Sequence, residues 1–310
     1  MKFDDCSKTD IHDDVATYYH SGLFRGSQMA CFGWILKKAD VCMLQQKIER
    51  TTSRIHDVDD ARYYRDYDKY LTASQLKTFA DCPWLADFQR RHPDTKEDTD
   101  ALYFGRAAHV CTLEGKDEFL RRFNVGGEPI NSKTGKAYGP TSQRFIDWIH
   151  SLPPGTDHIA ANKAEMAIEL SSSVHSHDIA GELLKYGKPE VCFRGSFDGI
   201  PVQSKIDWLG DGYICDLKTC QNINLFCKQF YSLRYQLQAA FYKRMVEPHM
   251  DAIFYFIAVE KIFPYICGVF KVSTNTMFHA MNELDKYLLQ WKEAVQTDNW
   301  KTRFEGVQHI

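Results

Sequence analysis

The sequence predicts an α/β or α+β layer fold, a mixed β-sheet flanked by helices. Two features of its pattern predict it. Between Glu190 and Lys218 the chain runs through short apolar strands broken by Asp-Gly and Gly-Asp-Gly turns, and two further apolar runs follow at 252–259 and 265–272. Stretches with apolar residues at helical spacing lie before, between and after these strands, and helices bracketing a strand run cover both faces of a sheet.

Composition bounds the rest. The chain has 310 residues, 44% hydrophobic and 14% aromatic, enough for a substantial core. It has no apolar run long enough to span a bilayer, and its start, MKFDDCSKTD, is unlike a secretory leader. A soluble, cytoplasmic protein with no membrane contact is therefore expected. Ten cysteines are scattered without a repeated spacing and no CxxC occurs, so reduced, partly buried thiols are expected rather than a disulfide frame. Cys82 suits a first iron–sulfur ligand, but the last cysteine is Cys267, and Cys215, Cys220 and Cys227 straddle the central strand region; no iron–sulfur cluster is expected. The net charge of −3 excludes a strongly basic nucleic-acid coat protein. A nuclease stays open, because acids that hold metal offset bases that hold phosphate.

Residues 1–60 read as an N-terminal accessory segment, either a small added layer or an oligomer contact, and residues 61–310 as the main domain. A helix is expected over Phe32–Ile48, and the charged, tyrosine-rich stretch Arg54–Lys69 reads as a solvated link. Thr72 is a helix N-cap ahead of Leu76, Phe79 and Ala80. Cys82-Pro83 interrupts that helix, and another begins at Trp84 and runs to Arg91. After a polar loop at 92–100, Ala101–Leu113 is helical around His109 and Phe119–Phe123 continues it. Asn131–Thr141 reads as an exposed loop, and Asn162–Tyr186 as one long helix stopped by Gly187 and Pro189. The three central strands run Val191–Phe197, Val202–Trp208 and Tyr213–Lys218. Phe230–Val246 is an amphipathic helix ended by Pro248, and Asn275–Asn299 is the final helix.

The chemistry sits at the strand ends. Residues two apart on a strand share a face, so Asp216 and Lys218 point together while Leu217 points into the core. Asp207 lies near the end of the adjacent strand, and Glu190 opens the hairpin. An acid-x-lysine triplet is weak by itself; this chain has three, Asp94-Thr95-Lys96, Glu114-Gly115-Lys116 and Asp216-Leu217-Lys218, and only the last ends an apolar strand beside another acid. Its bland reading is a surface salt bridge. Its chemical reading is a divalent-metal site: Mg²⁺, with Mn²⁺ as a substitute, takes oxygen ligands, which Asp207, Asp216, the Leu217 carbonyl and Glu190 supply. Such an ion lowers the pKa of a bound water, and Lys218 can orient that water or stabilise the pentavalent state. A cation beside Lys218 should lower the lysine's own pKa. Gln238 and Tyr242 lie four apart and share a helix face, but periodicity alone favours a core tyrosine and a surface glutamine. His109, in an apolar helix, is by the same standard a core histidine.

The ordered segments TASQLKTFADCP, FGRAAHVCTLE, PINSKTGKAYG, EVCFRGSFDGIPVQSKIDWL, ICDLKTC, YQLQAAFY and FYFIAVEK resemble the PD-(D/E)XK nuclease superfamily, and within it the RecE-type exonucleases of bacteria and phages. The resemblance spans about residues 65–300. It implies a restriction-endonuclease-like core, with the family's motifs falling on His109, Glu190, Asp207, Asp216, Lys218, Gln238 and Tyr242, and with His109 joining the metal ligands. It also implies an Mg²⁺-dependent exonuclease, in a bacterial or phage-infected cell, that digests one strand of duplex DNA from its ends, 5′ to 3′. The product is a 3′ single strand for a recombinase or single-strand annealing protein. Relatives form homo-oligomeric rings, which suits the modest charge, since several subunits focus their field into one channel. Arg106, Arg121, Arg122 and Arg194 are candidate phosphate contacts, or else residues of a solvated face. Residues 1–60 have no counterpart in the resemblance. Two other readings keep the same core: a structure-specific or single-strand endonuclease, and a catalytically inactive DNA-binding module. The second is disfavoured because every acid and the lysine are present.

Overall fold

The computed structural model describes residues 51–56, 63, 65–66, 68–93, 99–302 and 305–307. The helix expected over 32–48 and the triplet at 94–96 lie outside these residues. The architecture is a mixed, mostly antiparallel sheet between two helical layers, as the sequence pattern predicted.

The sheet has six strands in the order β1 (Thr51–His56), β4 (Lys188–Phe197), β5 (Ile200–Gly210), β6 (Tyr213–Cys220), β7 (Ile253–Glu260) and β8 (Cys267–Lys271). Neighbours are antiparallel except β6 and β7, which run parallel from Tyr213↔Ile253 to Cys220↔Glu260. A parallel pair cannot be joined by a tight turn, so the chain crosses over through helices that lie on one sheet face. Those helices are α8 (Phe226–Ser232) and α9 (Tyr235–Val246). The sequence suggested one helix here; Arg234 breaks it with a left-handed φ of 53°. Its guanidinium then ties together Asp81, Glu283 and the ring face of Tyr287.

Two apolar cores cover the sheet. On one face, Phe193, Phe197, Ile206, Phe254 and Phe256 meet Leu76 and Phe79 of α1 (Ala73–Asp81), Leu237 and Phe241 of α9, and Leu284 and Trp291 of α10 (Thr274–Thr297). On the other, Trp208, Cys215, Leu217, Ile257 and Val259 meet Phe104 and Ala108 of α3 (Asp100–His109) and Leu170 and Val174 of α6 (Ala161–Ser176). Burying such side chains is worth roughly 1.5–3 kcal/mol each, which fixes both layers against the strands.

Several elements depart from the sequence expectation. The segment 51–56, which falls within the expected accessory region 1–60, pairs with β4 from Thr51↔Phe197 to His56↔Cys192 and forms a sheet edge. Its Thr-Thr-x-x-Ile content suits a pleated surface, but the charged neighbours at 57–69 masked the signal. Nor is 54–69 simply a solvated link: Tyr63 and Asp66 are buried, with the Tyr63 carbonyl accepting from Gln203. The 162–186 helix is two, α6 and α7 (Asp178–Leu183), because His177 takes an extended conformation and caps the second through Nδ1. After α3 the chain passes through a π-helical turn at Val110–Glu114, and Gly115 then adopts a φ of 97° to start α4 (Lys116–Arg122). The helix α5 (Gln143–His150) and the small parallel pair β2 (Phe123–Val125) and β3 (Asp157–Ile159) were not foreseen. The helix α2 (Pro83–Arg91), directly after α1, follows the predicted Cys82-Pro83 break.

Candidate metal and active site

The site grows from a fork in the sheet. β5 pairs with β4 along nearly its whole length, but with β6 only at Trp208↔Cys215, Leu209↔Ile214 and Gly210↔Tyr213. Beyond these pairs β6 leaves with β7, and the edge it turned toward β5 has no strand partner among the described residues. Asp207 fills the gap: its Oδ2 accepts the Leu217 N–H at 2.9 Å. A carboxylate–amide bond of this kind contributes roughly 1.5–3 kcal/mol, and here it also anchors an acid between the separating strands.

Glu190 arrives by a second irregularity. The β4–β5 register runs Pro189↔Trp208 and Val191↔Ile206, which sets Glu190 opposite Asp207, and there Glu190 has a φ of 55°. That conformation costs a non-glycine residue of order 1–3 kcal/mol and persists only where the surroundings enforce it. The Glu190 carboxylate pairs with Lys205 Nζ at 2.6 Å. His109, last residue of α3, brings Nδ1 to 3.5 Å from Asp207 Oδ2. Among the described residues, His109, Glu190 and Asp207 each offer one ligand atom, all within 4.8 Å of one another.

Asp216 is fully buried on the face covered by α9. Its Oδ1 accepts Gln238 Nε2 at 2.6 Å, and its Oδ2 is ion-paired with Lys218 Nζ. The Lys218 ammonium lies over the rings of Tyr235 and Phe256, 5.1 and 5.9 Å from their centroids. Tyr242, one turn after Gln238 on α9, is hydrogen-bonded to it and senses both Asp216 and Asp207.

The electrostatics follow from burial. Desolvation, reinforced by the Asp216 charge, pushes the Asp207 carboxyl up to about 7, against the opposing pull of His109 and Lys218. Burial alone would pull the Lys218 ammonium down, but Asp216 and Asp207 outweigh it and its pKa lies above the ordinary value. The lowering expected from a metal thus faces a starting point that the acids have raised. Burial, then Tyr63 and the two aspartates, lift the Tyr242 hydroxyl well above 10, so it stays protonated.

The structure therefore brings His109, Glu190, Asp207, Asp216, Lys218, Gln238 and Tyr242 into one cluster. It does not bring the candidate arginines there as free cations. Arg194 is buried, with its guanidinium on Asp66 at 2.9 Å and on Gln203 at 3.2 Å, and covered by the Tyr70 ring. The guanidinium holds Asp66 and Tyr70 against the sheet. Arg121 and Arg122 both pair with Glu118, holding that carboxyl down to about 2, and Arg122 also pairs with Glu114. Arg106 is exposed and lies over the Tyr103 ring.

Three participants were missed. Lys205 was visible in principle, since it shares a strand face with Asp207 two residues on. Tyr235 lies in a quoted segment, but nothing in a sequence says that a tyrosine will sit under two lysines. Lys77, on α1, donates to Gln238 Oε1 at 3.2 Å, across 161 residues of chain. No local signal reaches that far.

Residues 72–310 match the family of the PDDEXK-like domain of unknown function (DUF3799), which takes in most of the chain. The chain belongs to that family. No curated protein matches it. Among solved structures, this PDDEXK-like chain is similar to a candidate exonuclease from Eubacterium rectale, with a TM-score of 0.61 and 15% identity over 82% of this chain and 92% of the other. At that identity the likeness speaks for the fold. In the structure the candidate residues fall on Asp207 of β5, Asp216 and Lys218 of β6, and Gln238 and Tyr242 of the crossover helix α9.

The donor set fits a divalent cation. Two carboxylates and an imidazole converge, and the ionic partners that neutralise the acids here, Lys205 and Lys218, are what a bound cation relieves. The carboxylates suit Mg²⁺ and Mn²⁺ alike, while the imidazole is a ligand that later transition metals take more readily. Asp216 lies alongside as an acid whose oxygens are taken by Gln238 and Lys218.

Proposed function

We propose that the protein is a divalent-metal-dependent exodeoxyribonuclease that degrades one strand of linear duplex DNA, 5′ to 3′, and leaves a 3′ single strand for an annealing protein. The observation that carries the hydrolytic reading is the convergence of Glu190, Asp207, Asp216 and Lys218 at the fork, with His109 closing the ligand group. The Eubacterium rectale protein's designation as an exonuclease supports end-directed cutting.

The residues have distinct tasks. His109, Glu190 and Asp207 would hold the cation, with Asp216 beside them. Bound there, Mg²⁺ or Mn²⁺ supplies an acidified water and neutralises charge on the phosphate. Asp207 is locked in direction by the Leu217 amide. Lys218, protonated and fixed by Asp216 and the Tyr235 ring, presents a cation to the attacking water and to the charge that grows on the phosphate. Gln238 and Tyr242 keep Asp216 from rotating. No helix among the described residues is long and apolar enough to cross a membrane. Duplex ends are the proposed substrate, and a homo-oligomeric ring around the DNA is the proposed working form in the cytoplasm, since one subunit with a net charge of −3 carries no overall positive field to hold DNA.

Digestion of linear and covalently closed duplexes, labelled at the 5′ or 3′ end, tests the reading with Mg²⁺, Mn²⁺ and EDTA. Metal-dependent loss of linear DNA, with the 5′ label released first and closed circles intact, is expected. Cutting of closed circles would make the protein an endonuclease of the same fold. DNA binding without cleavage under every metal would make it an inactive binding module.

A further inference from the structure

The cleavage reading uses Gln238 and Asp216 but gives Lys77 no task, although Lys77 reaches into the same buried network. Its direction is set by the fold. Helix α1 starts in a capping box, with Thr72 Oγ1 accepting Gln75 N–H at 3.2 Å and Gln75 Oε1 accepting Thr72 N–H at 2.7 Å. Leu76, on the same turn, is fully buried, so the helix cannot rotate to carry Lys77 elsewhere. The Lys77 ammonium donates to Gln238 Oε1 at 3.2 Å and stands 5.4 Å from the centroid of the Tyr235 ring, which Lys218 also approaches, at 5.1 Å.

A side-chain amide has an oxygen that only accepts and a nitrogen that only donates. Gln238 is nearly buried, 7% exposed, and its Nε2 donates to Asp216 Oδ1 at 2.6 Å. Reversed, the amide would set its oxygen against the carboxylate and its nitrogen against the ammonium. Two attractions would become two repulsions in a poorly solvated place, where each counts for more than in water. The order Lys77, Gln238, Asp216, Lys218 is thus a single polar chain, with a lysine at either end and an amide that fits one way round.

We propose that Lys77 is a positioning residue of the cleavage site: its ammonium fixes the orientation of the Gln238 amide, which in turn holds Asp216 for the reaction. The inference rests on the nuclease reading of this site. Contact of Lys77 with a DNA phosphate is the competing role.

Steady-state cleavage of linear duplex by the full chain separates the two roles. Lys77→Met should lower kcat by about 10- to 100-fold, the usual cost of removing a partner that orients a site residue, with little change in KM for DNA. Lys77→Arg should recover most of that loss. On a Gln238→Ala background Lys77→Met should cost nothing further, because no amide is left to orient. Losses that multiply, or a loss confined to KM, would show Lys77 acting on DNA and would overturn the proposal. A second measurement needs no turnover: exchange of the Gln238 side-chain amide protons, assigned in ¹⁵N-labelled protein through Gln238→Ala. Exchange should be slow in the wild type and Lys77→Arg and fast in Lys77→Met. Equal exchange in wild type and Lys77→Met would overturn the proposal. A wild type that cuts no DNA would defeat the nuclease reading alone, while the exchange rates still decide whether Lys77 governs the amide.

Discussion

Asp207→Asn should destroy cleavage and at the same time stabilise the metal-free protein, increasingly so as the pH rises. Unfolded, this carboxyl ionises near its ordinary value of 3.8; folded, it keeps its proton up to about 7, through burial and the neighbouring Asp216 charge. Between those values the native state binds the extra proton, so raising the pH weakens the fold, and the penalty is complete above the folded pKa. A displacement of this size, at ~1.4 kcal/mol per pH unit, amounts to on the order of 4 kcal/mol at pH 8 and about 2 kcal/mol at pH 5. Asparagine carries no such charge and keeps an oxygen for the Leu217 N–H. Denaturant melts of wild type and variant in EDTA, from pH 5 to 8, give the difference directly. Added Mn²⁺ should stabilise the wild type and leave the variant nearly unmoved, since a ligand acts on stability only through binding the native state. A variant less stable than wild type at pH 8, or a difference that does not grow with pH, would refute the account of Asp207 as a buried acid strained by its neighbour.

Other perturbations probe the remaining contacts. Lys218→Met strands the Asp216 charge in the core with only Gln238 for company; an unfolding free energy lower by about 3–5 kcal/mol is expected, together with loss of cleavage. Glu190→Gly relieves the left-handed backbone and should cost metal affinity, by calorimetric titration, without a matching loss of stability. Arg194→Met should lower stability, because Asp66 keeps only Lys69 and Gln203 loses its donor, while the affinity for duplex DNA measured on folded protein stays at the wild-type level.

Much of this was legible in the chain itself. The turns at Asp198-Gly199 and Gly210-Asp211-Gly212, the apolar strands between them and the Thr72 cap are local signals, written in neighbouring residues. Strand alternation alone aimed Asp216 and Lys218 to one side with Leu217 opposite. Ordered motifs supplied His109, Gln238 and Tyr242 as candidates, where periodicity by itself pointed to core and surface. The edge strand at 51–56 escaped because its partner lies more than a hundred residues away.

What the chain could not announce was the fork. Whether β5 and β6 stay paired or separate depends on how each is pulled by its other neighbour, β4 on one side and β7 on the other, and only after they separate does Asp207 meet the Leu217 amide. The same holds for the partners of charge: Arg194 reads as a surface base until Asp66 and Tyr70 fold over it, and Lys77 reads as a helix surface residue until α1 lands beside α9. Sequence determined which groups were present and which way short segments present them. Tertiary structure decided which charges are desolvated, because burial and pairing are properties of what packs from afar, and those two set both the acidity of Asp207 and the hold on Asp216.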